Sequence, residues 1–150
     1  MRPSLPGIVI ASVALLLASL FAAFAQEGFP SQNDGDAVLK LIAPGQLEIV
    51  RGPVLVRFAL SGMGIAPAGV NYPNTGHLHL LIDLPLEEVD LTKPLPFFLE
   101  VIHLSHGQTE LTVDLEPGTY TLQAILTDLD HVSFDPPVVS EVITIYVRHP

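Results

Sequence analysis

Three features of this sequence predict an all-β fold, an immunoglobulin-like antiparallel β-sandwich of seven or eight strands behind an N-terminal signal peptide. Short β-rich runs recur between Gly, Pro, Asn and Asp turn signals. Apolar residues alternate at period two in Leu111, Val113, Leu115 and in Ile143, Ile145, Val147, and no segment beyond the leader sustains a helical period over three turns. Pro117-Gly118 delivers Tyr120 two residues before Leu122, the spacing of the tyrosine corner that ties a crossing loop to a late strand. A small barrel is the alternative closure of the same strands.

The leader comes first. Arg2 supplies a positive start, Ile8 to Leu20 an apolar stretch, and Ala23-Phe24-Ala25 a small-x-small cleavage site, so residues 1–25 read as a signal peptide and the product as periplasmic or secreted. The competing reading is an uncleaved anchor, because the stretch from Ile8 to Ala25 nears the roughly 18–20 residues of a spanning helix. Residues 26–36 are polar and turn-rich, a flexible lead-in with little to bury. Residues 37–150 form the sandwich domain, of a size that sustains its own core.

Within it the strand signals run Val38 to Ala43, Leu47 to Val50, Val54 to Leu60, His77 to Leu84, Phe97 to Ile102, Thr109 to Leu115, Thr119 to Thr127 and Val138 to Val147. Two long connections, Ser61 to Thr75 and Pro85 to Pro96, have the length to carry function. No second hydrophobic span follows the leader, so the mature domain is expected to be free of the membrane.

Composition removes several classes of function. Sixteen acidic residues face six Lys and Arg, a formal charge of −10, and the basic residues are scattered singly, which disfavours nucleic acid. Without cysteine the fold must hold by packing, and zinc-thiolate, thiol-redox and blue-copper sites are excluded. No nucleophile elbow, His-Glu-x-x-His or phosphate-cradling glycine loop is present, so no catalytic residue is assigned.

What chemistry there is lies in histidine. In Gly76-His77-Leu78-His79-Leu80-Leu81-Ile82-Asp83, strand parity sends His77 and His79 to one face and Leu78, Leu80 and Ile82 to the other, so two imidazoles can meet one ion. His103 and His106 offer a second pair, of which one is expected to join, and Asp128-Leu129-Asp130-His131 supplies a third arm. Asp83 and Asp128 are the candidate carboxylates behind the ligands, since such groups commonly orient metal-bound imidazoles. The blander account is that strand histidines bond across the sheet and Asp-rich loops form Asx turns. Met63, between glycines, is either a soft copper donor or a core plug, the latter being the commoner use.

Ser61-Gly62-Met63-Gly64-Ile65-Ala66-Pro67-Ala68-Gly69, Thr75-Gly76 through Asp83, Gly107-Gln108-Thr109-Glu110, Pro117-Gly118 through Gln123, and Asp135-Pro136-Pro137-Val138 together resemble a family of bacterial exported proteins catalogued only as a domain of unknown function. The resemblance implies a pattern and no activity. In that family the first motif usually reads Gly-His-His-His-Leu-Leu-Ile-Asp, and a His usually stands where this chain has Tyr120. Leu78 and Tyr120 are therefore departures, and the second puts a site of the family's kind in question.

The expectation is a periplasmic metal-binding module for copper or zinc, using His77 and His79 with His131 and one of His103 or His106, for storage or delivery. The alternative is a non-metal module that presents its loops to an envelope protein. Mass spectrometry of the exported protein should find Gln26 as the first residue. Recovery of the intact Met1 form in washed membranes would instead identify the leader as an anchor.

Overall fold

The computed structural model describes residue 33 and residues 35–150, so the expected signal peptide and most of the lead-in lie outside the described residues. Ten strands follow: β1 (Val38–Ala43), β2 (Ile49–Arg51), β3 (Val54–Ser61), β4 (Gly64–Ile65), β5 (Thr75–Ile82), β6 (Val101–Leu104), β7 (Glu110–Val113), β8 (Gly118–Thr127), β9 (Ser133–Val139) and β10 (Ile143–Arg148). A 3₁₀ turn at Leu86–Glu88 interrupts the connection from β5 to β6.

One sheet has the order β1-β3-β7, and the other runs β2-β10-β8-β5, with β4 and β6 flanking β5 and β9 pairing β8. β2 runs parallel to β10 while β1 pairs antiparallel with β3, so the first stretch of the domain is shared between the sheets, as in immunoglobulin-like sandwiches. Between the sheets lies the main core. Leu39, Val54, Val56 and Phe58 on one side meet Leu78, Leu80, Ile82, Leu122, Ala124, Leu126, Ile145 and Val147 on the other. These are the alternating positions that period two singles out.

Several strands differ from expectation. The run Val138 to Val147 is two strands, because the chain turns out at Ser140-Glu141-Val142 and β10 takes over from β9 along the edge of β8. β6 begins at Val101 rather than Phe97. Pro94 and Pro96 deny the preceding segment a ladder donor, and Phe97, Phe98 and Leu99 are largely exposed. β4 is a two-residue parallel strand inside a connection expected to be irregular.

The larger sheet is covered on both faces at β5, where every residue from Gly76 to Ile82 is buried. Residues 83–100 fold back over its outer face. Leu95 joins Leu81, Val101 and Ile125 there in a second cluster, flanked by Leu84, Leu86, Val89 and Leu91. A sheet so enclosed reads as a continuous apolar run rather than a clean alternation, as Leu78 to Ile82 does. β8 crosses β5 closely at Gly76, where an added Cβ would lie 2.4 Å from the Thr127 carbonyl oxygen.

The tyrosine corner is formed. The Tyr120 hydroxyl donates to the Glu116 carbonyl at 2.9 Å, and Leu122 two residues on is fully buried. Tyr120 itself is half-buried and packs against the main core. Tyr120→Phe should lower stability by about 1 kcal/mol, the usual net worth of one such bond. Urea denaturation measures it, and an unmoved midpoint would argue that the corner contributes nothing.

Candidate metal centre

On the outer face of β5, His77, His79 and Leu81 stand in a row opposite Thr127, Ile125 and Gln123 of β8. On the other flank His103 of β6 pairs with His79, and Val101 with Leu81. Strand parity therefore brings three imidazoles and one hydroxyl to a single patch, with the second apolar cluster immediately beyond. The fourth imidazole comes from a turn. Asp128 N–H donates to the Val132 carbonyl at 2.9 Å, and Asp128 Oδ1 accepts from the N–H groups of Asp130 and Val132 at 2.9 and 3.0 Å. This holds His131 at φ 65°, a left-handed conformation that His tolerates better than most residues. Leu95 N–H donates to the His131 carbonyl at 2.8 Å and pins the covering loop to the turn.

The nitrogens converge in two pairs. His77 Nε2 lies 2.7 Å from His131 Nδ1, and His79 Nε2 lies 2.8 Å from His103 Nδ1. The pairs adjoin, since the His77 and His79 ring centroids are 4.7 Å apart and those of His103 and His131 are 5.2 Å apart. One ligand atom from each of His77, His79 and His131 falls within 4.8 Å of the others. Ligands about 2.1 Å from a tetrahedral ion sit about 3.4 Å from one another, so each close pair would open by about 0.6 Å to share one.

The groups behind the rings bear on which nitrogens carry the protons. His103 Nε2 faces the Pro96 carbonyl at 3.4 Å, and a carbonyl can only accept, so that nitrogen carries the proton and Nδ1 is a lone pair. Thr127 Oγ1 stands between the rings, 3.3 Å from His79 Nδ1, 3.4 Å from His77 Nε2 and 3.4 Å from the Asp128 carbonyl, and its single proton can go to any one of them. His103 Nδ1 therefore accepts, and at 2.8 Å its donor is His79 Nε2, whose Nδ1 is left to accept from the Thr127 hydroxyl. A metal ion bound here would take the place of the proton between the two nitrogens.

Adding a further proton to these rings is unfavourable. Burial, then the neighbouring His131 and His103, lower the His77 pKa to about 4, with Asp128 opposing. Burial, then His103, His77 and His131, lower that of His79 to about 2. His103 is lowered too, chiefly by burial, although the Pro96 carbonyl favours its charged form. His77 and His79 are 1% and 0% exposed, and in so dry a setting the charged imidazole has lost its water.

Of the sequence-predicted residues, the structure brings together His77, His79, His103 and His131, with Asp128 shaping the turn and its charge felt at His77. His106 is not among them. It is exposed on the turn after β6, where its backbone N–H donates to Gln108 Oε1, and of the two candidates there His103 alone shares a face with His79. Asp83 is also elsewhere. It lies past the far end of β5, exposed, with Oδ1 accepting from the N–H and hydroxyl of Thr121 at 2.7 and 3.2 Å, so it ties β5 to β8 rather than orienting an imidazole. Met63 packs against the main core.

Thr127 escaped the sequence reading, because a threonine ending a strand is ordinary and only the β5–β8 register sets it between His77 and His79. Neither departure from the family motif touches this cluster. Leu78 points into the core on the opposite face, and Tyr120 lies on that same core-facing parity toward the start of β8, paired with Ile145.

The profile of a family described as Domain of unknown function (DUF4399) matches residues 56–148, a span that contains all four imidazoles, and the chain belongs to that family. Among solved structures the chain is similar to the X-ray structure of the endo-beta-1,4-mannanase from Thermotoga petrophila, with a TM-score of 0.45 and 14% identity over 79% of this chain and 21% of that one. The chain thus spans about a fifth of the length of that structure. No curated protein matches.

The lowered imidazole pKa values make the metal-free protein sensitive to acid. Unfolded imidazoles titrate near 6.5 while folded His77 stays neutral to about 4, so the unfolded state binds more protons between those values. Stability is therefore fully present above about pH 6.5 and is lost as the pH falls toward about 4. Chemical denaturation of chelator-treated protein across this range should show the falling midpoint, with a shallower fall in His79→Gln.

Proposed function

We propose that this member of the DUF4399 family is an exported metal-binding module, periplasmic or secreted, that holds one copper or zinc ion for storage or delivery. The observation that carries the reading is the convergence of His77, His79 and His131, whose ligand atoms lie within 4.8 Å of one another, with His103 beside them. Metal-binding histidines characteristically donate their second ring nitrogen to a carbonyl, carboxylate or hydroxyl, as His103 does to the Pro96 carbonyl.

His77 Nε2, His79 Nε2, His103 Nδ1 and His131 Nδ1 would hold the ion. A set of imidazoles without thiolate suits copper or zinc better than calcium or magnesium, which prefer oxygen. Bound there, the ion would supply its own charge and coordination to the protein's cargo or stability, and the chain's residues contribute position and dryness. Because His77 and His79 are neutral at pH 7, an arriving ion need release no net proton from them. The leader read from the sequence supports the exported setting.

A second reading, an interaction module for an envelope protein, draws on the exposure of Phe98 and Leu99, 62% and 94%, on the loop beside the cluster. Calorimetry of the chelator-treated mature domain separates the two. The metal reading expects one equivalent of copper or zinc bound at micromolar Kd or tighter, and nothing tighter than about millimolar, roughly 4 kcal/mol, would sink it.

Within that titration Thr127→Val should weaken binding about 10- to 100-fold, the usual effect of removing a group behind a ligand, while His106→Ala leaves it unchanged. His77→Ala and His79→Ala should lose more than Thr127→Val. Equal affinity in Thr127→Val and the parent would show that the hydroxyl does not orient His79.

A further inference from the structure

We propose that Phe97 controls access to this metal centre, acting as a cap whose displacement sets how fast an ion arrives and leaves while contributing nothing to the ligand set. The proposal rests on the metal-binding reading above and adds to it a residue and a kinetic role.

The imidazole cluster has a buried side and a wet side. His77 and His79 form the buried side, at 1% and 0% exposure, whereas His103 and His131 are half-buried and border solvent. Phe97 touches both of the bordering rings. It stacks face to face on His103 with centroids 4.1 Å apart and planes 6° apart, and it meets His131 edge-on at 5.6 Å and 77°. A lone exposed phenylalanine is ordinary on a protein surface. One laid flat on a candidate ligand, with its edge against a second, is placed to cover what lies between them.

The loop that carries it is built as an anchor with a free end. Leu95 is 1% exposed within the second apolar cluster, and its N–H donates to the His131 carbonyl at 2.8 Å. Pro96 restricts the backbone of Leu95 to extended conformations and presents its own carbonyl to His103 Nε2 at 3.4 Å. Leu95 and Pro96 are therefore held by the cluster they cover. Phe97 is the first residue past the anchor and is 76% exposed, so little besides the stack keeps its ring in place. Exposed side chains change rotamer in picoseconds to nanoseconds, which makes the ring, and not the loop, the moving part.

The size of the effect follows from the stack. Aromatic pairs of this kind hold a closed position over an open one by a factor of roughly two to ten. Ligation is untouched by opening, so arrival and departure should speed up together. That separates a cap from a structural prop, whose loss would disturb the ligands and weaken binding.

Cobalt(II), whose visible absorption reports its coordination, is the probe. Chelator-treated mature protein is mixed with cobalt(II) in a stopped-flow instrument, and loaded protein is then challenged with EDTA. Absence of cobalt, copper and zinc binding in the parent protein would remove the metal-binding reading itself. Given binding, Phe97→Ala should raise both the loading and the stripping rates about two- to tenfold with Kd unchanged within about twofold. Phe97→Leu should behave like Phe97→Ala, Phe97→Tyr should restore the parent rates, and Phe98→Ala should alter neither. Unchanged rates in Phe97→Ala and Phe97→Leu, or a weaker Kd that arises from stripping alone, would overturn the proposal.

Discussion

Neutral imidazoles buried on the outer face of a sheet are the constraint around which the rest of this molecule is arranged. A sandwich ordinarily leaves that face to water, and histidines there would be solvated and would titrate normally. Here residues 83–100 are laid across it, and Leu95, Leu81, Val101 and Ile125 close a second apolar cluster beside the rings. The long Leu-rich connection is thus part of the site. By removing water it lowers the affinity of His77 and His79 for protons, and it obliges every ring nitrogen to find a partner within the protein.

The central strand was legible because one rule governs it. Period two sends Leu78, Leu80 and Ile82 to the core and His77 and His79 to the opposite face, and no tertiary detail can reverse that without slipping the whole register. The tyrosine corner was legible for a like reason, a Pro-Gly turn at fixed distance from a core leucine. What failed depended on three-dimensional information. Phe97, Phe98 and Leu99 have strong strand propensity, yet the prolines before them and the fold-back over β5 leave them exposed. The choice between His103 and His106 turned on where β6 ends, at Leu104, a boundary that local pattern fixes poorly. Asp83 shares the parity of His79 but sits beyond Ile82, where φ of 52° takes the chain off the strand.

The supports of the four rings differ in kind. His77, His79 and His103 stand on paired strands, whose backbone positions are set by the ladder, and sites built on such elements are held more closely than sites on loops. His131 alone comes from a turn, and that turn is tied down by its own hydrogen bonds. Asp128 shapes it from within, and Leu95 holds it from above. A ligand from a loop can match ligands from a sheet only when the loop has been made comparably stiff.

Asp128 also bears on why an ion, and not a proton, suits this place. Burial and mutual repulsion work against positive charge in the cluster, while the Asp128 carboxylate favours it at His77. Coulomb energy scales with charge, so a divalent ion gains twice what a proton gains from the same carboxylate. A proton between two rings satisfies one facing pair of nitrogens and leaves the other pair to its own tautomers. A metal ion can accept lone pairs from both pairs at once, and the Pro96 carbonyl behind His103 already leaves its Nδ1 facing inward as an acceptor. The arrangement that makes these histidines hard to protonate therefore leaves them ready for a metal.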